Sequence, residues 1–404
     1  MVSHQCNDAL GSPPEWSFLN GRRIVDCSEL LPGPYASTLL ADLGADVIKV
    51  ERPAGDPTRR SPTRFGAVNR NKRSVVLDLK TGDGCEAFLG LAATADAVVE
   101  GFRPGVLDRL GVGWNVLRRV NERLVLCSLS GFGQDGPYAD KPGHDLNFLG
   151  LSGYFAAPGT VDGGVVRPGV RIADMLGGLY GALSLAVALA SVDRTGRGQH
   201  LDLSLTEAAV AAAAPFVLGL PDGRPATEAD LVMGDNDVFR TADGRELVFA
   251  CFEDKSWRAF REDLAAEFPE FPELATAAWD ERAARTSARA EVSGVLRRVF
   301  AARPRGWWDE RLTALGLPWT PVVADRDELL SHPLLVEREV FGALPDTPGT
   351  ALPDTPATRY ARFPTRFSDG LDTVRRPPPQ LGEHTAELLG QDQDQNRNSA
   401  EVTA

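Results

Sequence analysis

The sequence predicts an α/β fold in which a large domain, built on a mostly parallel sheet, is followed by a smaller α+β domain. Short β-branched runs alternate with helix-like segments between residues 21 and 131. A hairpin signal, with its turn at Asp243 and Gly244, follows a linker-like stretch at residues 221–230 that is rich in proline, glycine and acidic residues. A chain of 404 residues is also long for a single hydrophobic core.

The first part of the chain alternates predicted strands with predicted helices. Each strand is an apolar, β-branched run typical of a buried parallel sheet, and the runs lie at residues 22–28, 45–51, 74–80, 95–102 and 123–130. Helix-spaced segments fill gaps between them, at residues 35–44, 84–95 and 104–111. This alternation predicts ligand-binding loops at the carboxyl ends of the strands.

The middle of the chain is predicted to be helical. The apolar run from Met175 to Val192 just reaches the length of a membrane span, but Gly177, Gly178 and Gly181 dilute its hydrophobicity. We therefore predict a buried helix and no membrane association. A short strand at residues 200–205 and an alanine-rich helix at residues 206–220 are predicted to follow.

Composition and charge exclude several classes of protein. The formal charge of −13 argues against a nucleic-acid-binding or anionic-membrane-binding protein, because those partners are held by clustered Lys and Arg. The five cysteines lie far apart, so we expect reduced thiols and no metal site. Residues 1–16 show no basic start followed by an apolar core, and we expect a cytoplasmic protein.

A basic segment, residues 51–73, stands out against this acidic background. It holds seven basic and two acidic residues. Arginine side chains suit phosphate oxygens, so the segment is a candidate site for an anionic ligand. A solvated loop with internal salt bridges is the alternative.

The absence or the context of known glycine-rich and catalytic motifs argues against several functions. The stretch GFGQDG, residues 131–136, matches a dinucleotide-binding pattern, but the loop-like PYADKPG follows it where that pattern requires a helix. No serine-hydrolase elbow, Walker A sequence, HExxH pair or paired CxxC occurs. The sequence therefore indicates neither dinucleotide binding nor those reactions.

Three titratable residues remain as candidates for catalysis. His144 lies at the start of a helix-like segment, Asp174 directly before the apolar helix, and Glu253 directly after a predicted strand. Each also has a structural interpretation, as a buried histidine, a helix N-cap and a turn acid respectively.

Several motifs together resemble the family III CoA-transferase superfamily, and within it most closely the α-methylacyl-CoA racemases. They occur in order between residues 21 and 390, and they include LPGPYASTLLADLGADVIKVERP, NRNKRSVVLDLK, EGFRPGVLDRLGVG, GHDLNFLGLSG, IADMLGG and LGEHTAELLG. The resemblance implies a large Rossmann-like CoA-binding domain and a small domain in an interlocked homodimer. It further implies an acyl-CoA thioester substrate, with coenzyme A as part of that substrate and no prosthetic group.

The resemblance and the local sequence patterns together predict that the chain is organised in five segments. Residues 1–20 form a flexible extension, 21–220 the first part of the large domain, 221–325 the linker and small domain, 326–390 a return to the large domain, and 391–404 a disordered tail. Within the return segment, ALPDTPGT is repeated at once as ALPDTPAT, which predicts an extended excursion.

The resemblance also assigns CoA-binding residues. By similarity they are Arg52, Val76, Leu77, Asp78, Leu79, Glu100, Gly101, Phe102, Arg103 and Arg109, and they are joined by Gly143 and Asp145 beside His144. The backbone at Asp145, at a helix start, is expected to supply N–H groups to an enolate oxygen.

The resemblance favours an acyl-CoA α-epimerase, which is our first prediction, and a CoA transferase and a non-catalytic role are the alternatives. In an acyl-CoA α-epimerase, His144 and Asp174 would remove and return the α-proton through an enolate, and Glu253 would orient His144. In a CoA transferase, Asp174 would be the nucleophile and would carry CoA as a thioester. The glycine-rich loop of many transferases is not evident at residues 233–239, MGDNDVF. A non-catalytic acyl-CoA-binding protein is the third possibility.

Overall fold

The structure, a computed structural model, describes residues 18–157, 166–218, 232–343, 359–368 and 374–390. The chain forms two compact units. The first unit comprises residues 1–152, 170–211 and 334–404, and the second comprises residues 153–169 and 212–333. The linker expected at residues 221–230, the repeated segment after Ala343 and the tail after Gly390 lie outside the described residues.

The first unit contains a six-stranded parallel sheet, which confirms the predicted α/β class. The strand order is β3-β2-β1-β4-β5-β6, and every neighbouring pair is parallel. The strands are β1 (Arg23–Asp26), β2 (Asp46–Glu51), β3 (Lys72–Val76), β4 (Ala97–Glu100), β5 (Val125–Ser130) and β6 (His200–Ser204). The order reverses beside β1, where doubly wound sheets bind ligands.

Seven helices of this unit connect those strands in the described residues. They are α1 (Pro32–Asp42), α2 (Pro62–Ala67), α3 (Gly82–Ala93), α4 (Val106–Arg109), α5 (Trp114–Val120), α6 (Asp145–Leu151) and α7 (Ile172–Thr195). Residues at the N-termini favour the start of several of these helices. Pro32 is the first residue of α1, and the Thr81 hydroxyl caps α3 by accepting the Gly84 N–H at 3.1 Å. The helices α2 and α5 were not predicted, because neither has a long apolar pattern.

One strand prediction is wrong at its end. The run SVVLDLK predicts a strand to residue 80, but β3 ends at Val76. Leu77 is buried in the core, and the Asp78 carbonyl accepts the Thr81 N–H at 3.0 Å, which turns the chain towards α3. The apolar character of this run therefore reflects core packing as well as strand formation.

The second unit is smaller and mixes an antiparallel sheet with helices. Its elements are β7 (Asn236–Arg240), β8 (Glu246–Ala250), α9 (Asp254–Glu267), α10 (Arg282–Ser287), α11 (Arg289–Phe300), α12 (Arg305–Ala314), β9 (Trp319–Pro321) and α13 (Arg326–Ser331). The hairpin from β7 to β8 is confirmed, and Gly244 in its turn has φ +75°. Its core is aromatic, with Trp257, Phe260, Phe300 and Trp308 fully buried.

Four further elements complete the description. The helix α8 (Leu205–Val217) contains Ala211, the last residue of the first unit before the chain enters the second. The helix α14 (Pro333–Glu337) begins at the last residue of the second unit. The first unit then continues with an antiparallel pair, β10 (Phe341–Ala343) and β11 (Arg359–Ala361).

The apolar helix α7 makes close contacts through its glycines, with α1 at Gly178 and with the first residue of α8 at Gly177. A Cβ added to Gly178 would lie 2.7 Å from the Pro32 carbonyl oxygen, and one added to Gly177 would lie 2.1 Å from Leu205 Cδ2. The opposite face, with Leu179, Leu183 and Val187, is exposed. This helix is long and apolar enough to cross a membrane by length and composition, and 44% of its most apolar window is buried.

We expect Gly178→Ala to lower the free energy of unfolding by about 1–3 kcal/mol, because the added methyl group overlaps the backbone at Pro32. Gly294→Ala is the control, since nothing lies within 4 Å of a Cβ at that helical position and alanine favours a helix. Urea denaturation of both variants measures the difference. Equal stabilities would show that α1 and α7 do not need this close approach.

Candidate active site

A cleft of about 440 Å³ lies in the first unit, at the carboxyl ends of β1, β4 and β5. The loops after these strands and the first turns of α6 and α7 form its walls. Its lining residues are Glu29, Leu30, Pro32, Gly33, Gly101, Phe102, Arg103, Pro104, Leu129, Ser130, Gly131, Ala139, Lys141, Pro142, Gly143, His144, Asn147, Phe148, Asp174 and Leu205. The cleft therefore contains both His144 and Asp174, which are 30 positions apart in the chain.

The backbone of His144 is fixed at the start of α6. Its N–H donates to Asn147 Oδ1 at 2.9 Å, and its carbonyl accepts the Asn147 N–H at 2.7 Å. His144 is the N-cap residue of the helix and is exposed. This arrangement leaves the imidazole at the cleft surface, where it can reach a substrate.

Asp174 lies in the first turn of α7 and is half-buried. Burial raises the pKa of its carboxyl to about 6, and the neighbouring charge of Asp145 acts in the same direction. Arg171 and His144 oppose this rise. A carboxyl group with a pKa near 6 is available in both protonation states close to neutral pH, which suits either a nucleophile or a proton carrier.

The side chain of Asp145 stabilises the start of α7. Its side chain is buried, and its Oδ1 accepts the N–H groups of Ala173, at 2.8 Å, and Asp174, at 3.2 Å. It therefore satisfies two N–H groups at the start of α7 and does not line the cleft. The negative charge of the carboxylate also interacts favourably with the positive end of the α7 helix dipole.

The expected CoA-binding residues divide into two groups. Gly101, Phe102, Arg103 and Gly143 line the cleft, whereas Arg52, residues 76–79, Glu100, Arg109 and Asp145 do not. Glu253 belongs to the second unit, where it is the exposed N-cap residue of α9.

Glu100 stabilises a loop that forms part of the cleft wall. Its carboxylate is buried and accepts the Phe102 N–H at 2.7 Å, which holds the loop that carries Phe102 and Arg103. Burial raises the pKa of Glu100 to about 7, although hydrogen bonds from Ser128 and Phe102 act in the opposite direction. The side chain therefore orders a wall of the cleft without lining it.

The basic segment, residues 51–73, is largely neutralised inside the protein. Arg59 donates to Glu51 at 2.6 and 2.7 Å, and Arg70 is paired with Asp42. Arg73 pairs with Asp46 and Glu387, Lys72 with Asp26, and Arg52 with Glu29. The salt-bridge interpretation therefore describes most of the segment, and residues outside the segment supply most of the carboxylates.

The sequence patterns missed several side chains of the cleft, including Lys141 and Leu30. Lys141 lies with its Nζ 4.3 Å from the centre of the Tyr138 ring, and no acidic partner for it or for Arg103 occurs among the described residues. Leu30, after β1, was not singled out because it follows an ordinary apolar run. Only its place in the loop between β1 and α1 brings it to the cleft.

Comparisons with known proteins agree with one family along most of the chain. The model of "CoA-transferase family III" matches residues 19–385. A succinate–glutarate CoA-transferase from Agrobacterium fabrum is 34% identical over 395 residues, which cover 92% of this chain and 95% of that protein. A succinyl-CoA:mesaconate CoA-transferase from Haloarcula marismortui is 32% identical over 396 residues, with 92% and 95% covered.

Crystal structures agree with these sequence relatives. A CAIB/BAIF family protein from Brucella suis superposes with a TM-score of 0.79 at 28% identity, over 93% of this chain and 99% of that one. The sequence relatives are named CoA-transferases, so the expected closer similarity to racemases is not confirmed.

We expect Glu100→Gln to change the pH dependence of stability. Because the folded protein holds the Glu100 proton up to about pH 7 and the unfolded chain releases it near its ordinary pKa of 4.5, the free energy of unfolding falls as pH rises between these values. The variant has no proton to release at this position. Across that interval, its free energy of unfolding should therefore rise relative to that of the wild type by up to about 3 kcal/mol.

Urea denaturation of both proteins at pH 5 and pH 8 measures this effect. Glu86→Gln, an exposed site on α3, is the control and should shift stability equally at both pH values. A difference between wild type and Glu100→Gln that does not vary with pH would contradict the raised pKa.

Proposed function

The chain belongs to CoA-transferase family III, and on this premise we propose that it transfers CoA from an acyl-CoA thioester to a carboxylic acid, with Asp174 as the nucleophile. The observation that carries the proposal is the half-buried Asp174 carboxyl group in a cleft that also holds two cationic side chains, Arg103 and Lys141. Desolvation makes a carboxylate more reactive, and nearby cations attract anionic substrates.

Asp174 would act through four balanced steps. Its carboxylate attacks the thioester carbonyl and displaces CoA as a thiolate, which leaves a mixed anhydride between Asp174 and the acyl group. The thiolate attacks the Asp174 carbonyl, which gives an aspartyl-CoA thioester and releases the first acid. The acceptor carboxylate then attacks that thioester and displaces CoA. Finally, CoA attacks the acceptor's carbonyl in the new anhydride, which forms the new acyl-CoA and regenerates Asp174.

Dicarboxylic acids are the proposed acceptors. Relatives of this chain are named for succinate, glutarate and mesaconate, each of which carries two carboxylates. Asp174 reacts with one carboxylate, and Arg103 or Lys141 provides a cation for the other. Such an acceptor would use one of the cleft cations without an additional cofactor or metal.

The second candidate is the α-epimerase. The observation that favours it is that His144 lines the same cleft as Asp174, so two groups able to carry protons face one space. The raised pKa of Asp174 brings it closer to that of an imidazole, as proton transfer through an enolate requires. Glu253 would then orient His144 from a second chain.

Mass spectrometry of the Asp174 peptide tests the transferase. After incubation with succinyl-CoA, the wild type should carry CoA on Asp174, and hydroxylamine should convert the same residue to a hydroxamate. Asp174→Asn should lose both adducts and at least about 1,000-fold of the transfer rate, while its circular dichroism spectrum stays unchanged. A wild type that transfers CoA to glutarate without either adduct would contradict Asp174 as the nucleophile.

NMR in D2O, with a 2-methylacyl-CoA and no acceptor acid, separates the two candidates. Deuterium entry at C2 with inversion from both enantiomers, lost in His144→Ala, would establish the epimerase. If no deuterium enters, and glutarate added afterwards accepts CoA with both the wild type and His144→Ala, the transferase is established.

We also propose the cytoplasmic, interlocked homodimer that the family resemblance implies, without a role for membranes or nucleic acid. The exposed face of α7 supports it, because Leu179, Leu183 and Val187 repeat every four residues and present one apolar stripe. A second chain would bury this stripe.

Light scattering coupled to size-exclusion chromatography tests the dimer. The wild type should elute with the mass of two chains, and Leu183→Glu should shift it towards one, because a buried charge opposes association. Leu334→Glu changes an exposed leucine outside the stripe and should leave the mass unchanged. A monomeric wild type would contradict the proposal.

A further inference from the structure

Leu30 has an unusual backbone conformation at the edge of the cleft. Its φ is +68°, in the left-handed region, which it shares with only two other non-glycine residues in the described parts of the chain, Asn71 and Glu339. Asparagine enters this region readily, whereas a leucine side chain collides there with its own backbone. The conformation of Leu30 therefore costs free energy that glycine would not.

The surrounding loop holds Leu30 in this conformation. On one side, the Ser28 N–H donates to Asp26 Oδ1 at 3.0 Å, and the Ser28 carbonyl accepts from Lys49 Nζ at 3.1 Å. On the other side, Pro32 begins α1, and a Cβ at Gly33 would lie 2.2 Å from Ser28 Oγ. With both ends fixed, the chain can complete the turn only in a strained form.

The strained loop presents an apolar side chain to the cleft. Among the large hydrophobic residues that line it in the described chain, only Leu30 is largely exposed, at 47% of its surface. Leu129, Phe148 and Leu205 are buried behind the wall. An exposed leucine in a cleft gains its contact only when a ligand covers it.

Leu30 and Asp174 belong to adjacent elements. Gly178, one turn after Asp174 on the same face of α7, approaches the Pro32 carbonyl so closely that a Cβ there would lie 2.7 Å from it. Pro32 is two residues after Leu30. The face of α7 that carries Asp174 therefore points towards the start of α1, and both side chains line one cleft.

We propose that Leu30 is a specificity-determining residue whose side chain contacts the hydrocarbon part of the acid that Asp174 activates, and so limits its chain length. This inference rests on the proposed transfer of CoA to an acid. The strained conformation persists because it sets the position of this contact. A shorter side chain would open space for additional methylene groups.

Two variants separate the side chain from the backbone conformation. Leu30→Ala removes the side chain but keeps the strain, whereas Leu30→Gly removes both. Transfer from succinyl-CoA is measured for each variant and the wild type with a homologous series of straight-chain dicarboxylic acids. Thermal unfolding of the same proteins is followed in parallel, and Leu334→Ala, outside the cleft, is the control.

In both variants, kcat/KM for the best acid of the wild type should fall about tenfold, and the preferred acid should become longer. The melting temperature of Leu30→Gly should lie about 1–3 °C above that of Leu30→Ala, because glycine relieves the strain. Leu334→Ala should keep the chain-length profile of the wild type.

Four results would overturn the inference. An equal fall for every acid would mean that Leu30 contacts the CoA part common to all reactions, and an unchanged profile would mean that it contacts no substrate. Equal melting temperatures of the two variants would show that the backbone of Leu30 is not strained. A wild type that transfers CoA to none of the acids overturns the proposed function together with this inference, whereas an active wild type with unaltered variants overturns this inference alone.

Discussion

The buried ion pair between Asp26 and Lys72 is the interaction on which the cleft of this protein depends. Both side chains are fully buried, and Lys72 Nζ lies 2.9 Å from Asp26 Oδ2. Burial alone would raise the pKa of Asp26, but the ammonium groups of Lys72 and Lys49 hold it well below its ordinary value. A buried carboxylate is tolerated because it is paired and hydrogen-bonded, and the removal of one partner would leave an uncompensated charge.

This pair connects the sheet to the loop before α1. Asp26 ends β1, Lys72 begins β3, and the Asp26 carboxylate also accepts the Ser28 N–H. Lys49, in β2, adds a hydrogen bond to the Ser28 carbonyl and an ion pair with Asp56 at 2.9 Å. Three strands thus fix one short loop, and through it the wall of the cleft that carries Leu30. A site fixed by rigid strands keeps reacting groups in position more exactly than a free loop can.

The carboxyl groups near the cleft illustrate how burial determines chemistry. Asp145 and Asp174 are separated by 28 residues that fold back, so that Asp145 accepts two N–H groups at the start of α7 while Asp174 lines the cleft. The first carboxylate stabilises the helix and, through its charge, raises the pKa of the second. Glu100 similarly holds the loop of Phe102, another part of the wall, without lining the cleft. Nearby carboxyl groups therefore position the cleft around Asp174, the carboxyl group that we propose to react.

The sequence by itself determined the α/β class, the five strands up to Ser130 and the candidates His144 and Asp174, because hydrophobic periodicity and short motifs are local properties of a chain. Only the tertiary structure decided the partners of the basic segment, the end of β3, the hydrogen bonds of the Asp145 side chain and the backbone conformation of Leu30. An ion pair such as Arg73 with Glu387 joins residues more than 300 positions apart, and the left-handed φ of Leu30 follows from anchors on both sides of its loop. Such long-range constraints leave no periodic signal in the sequence.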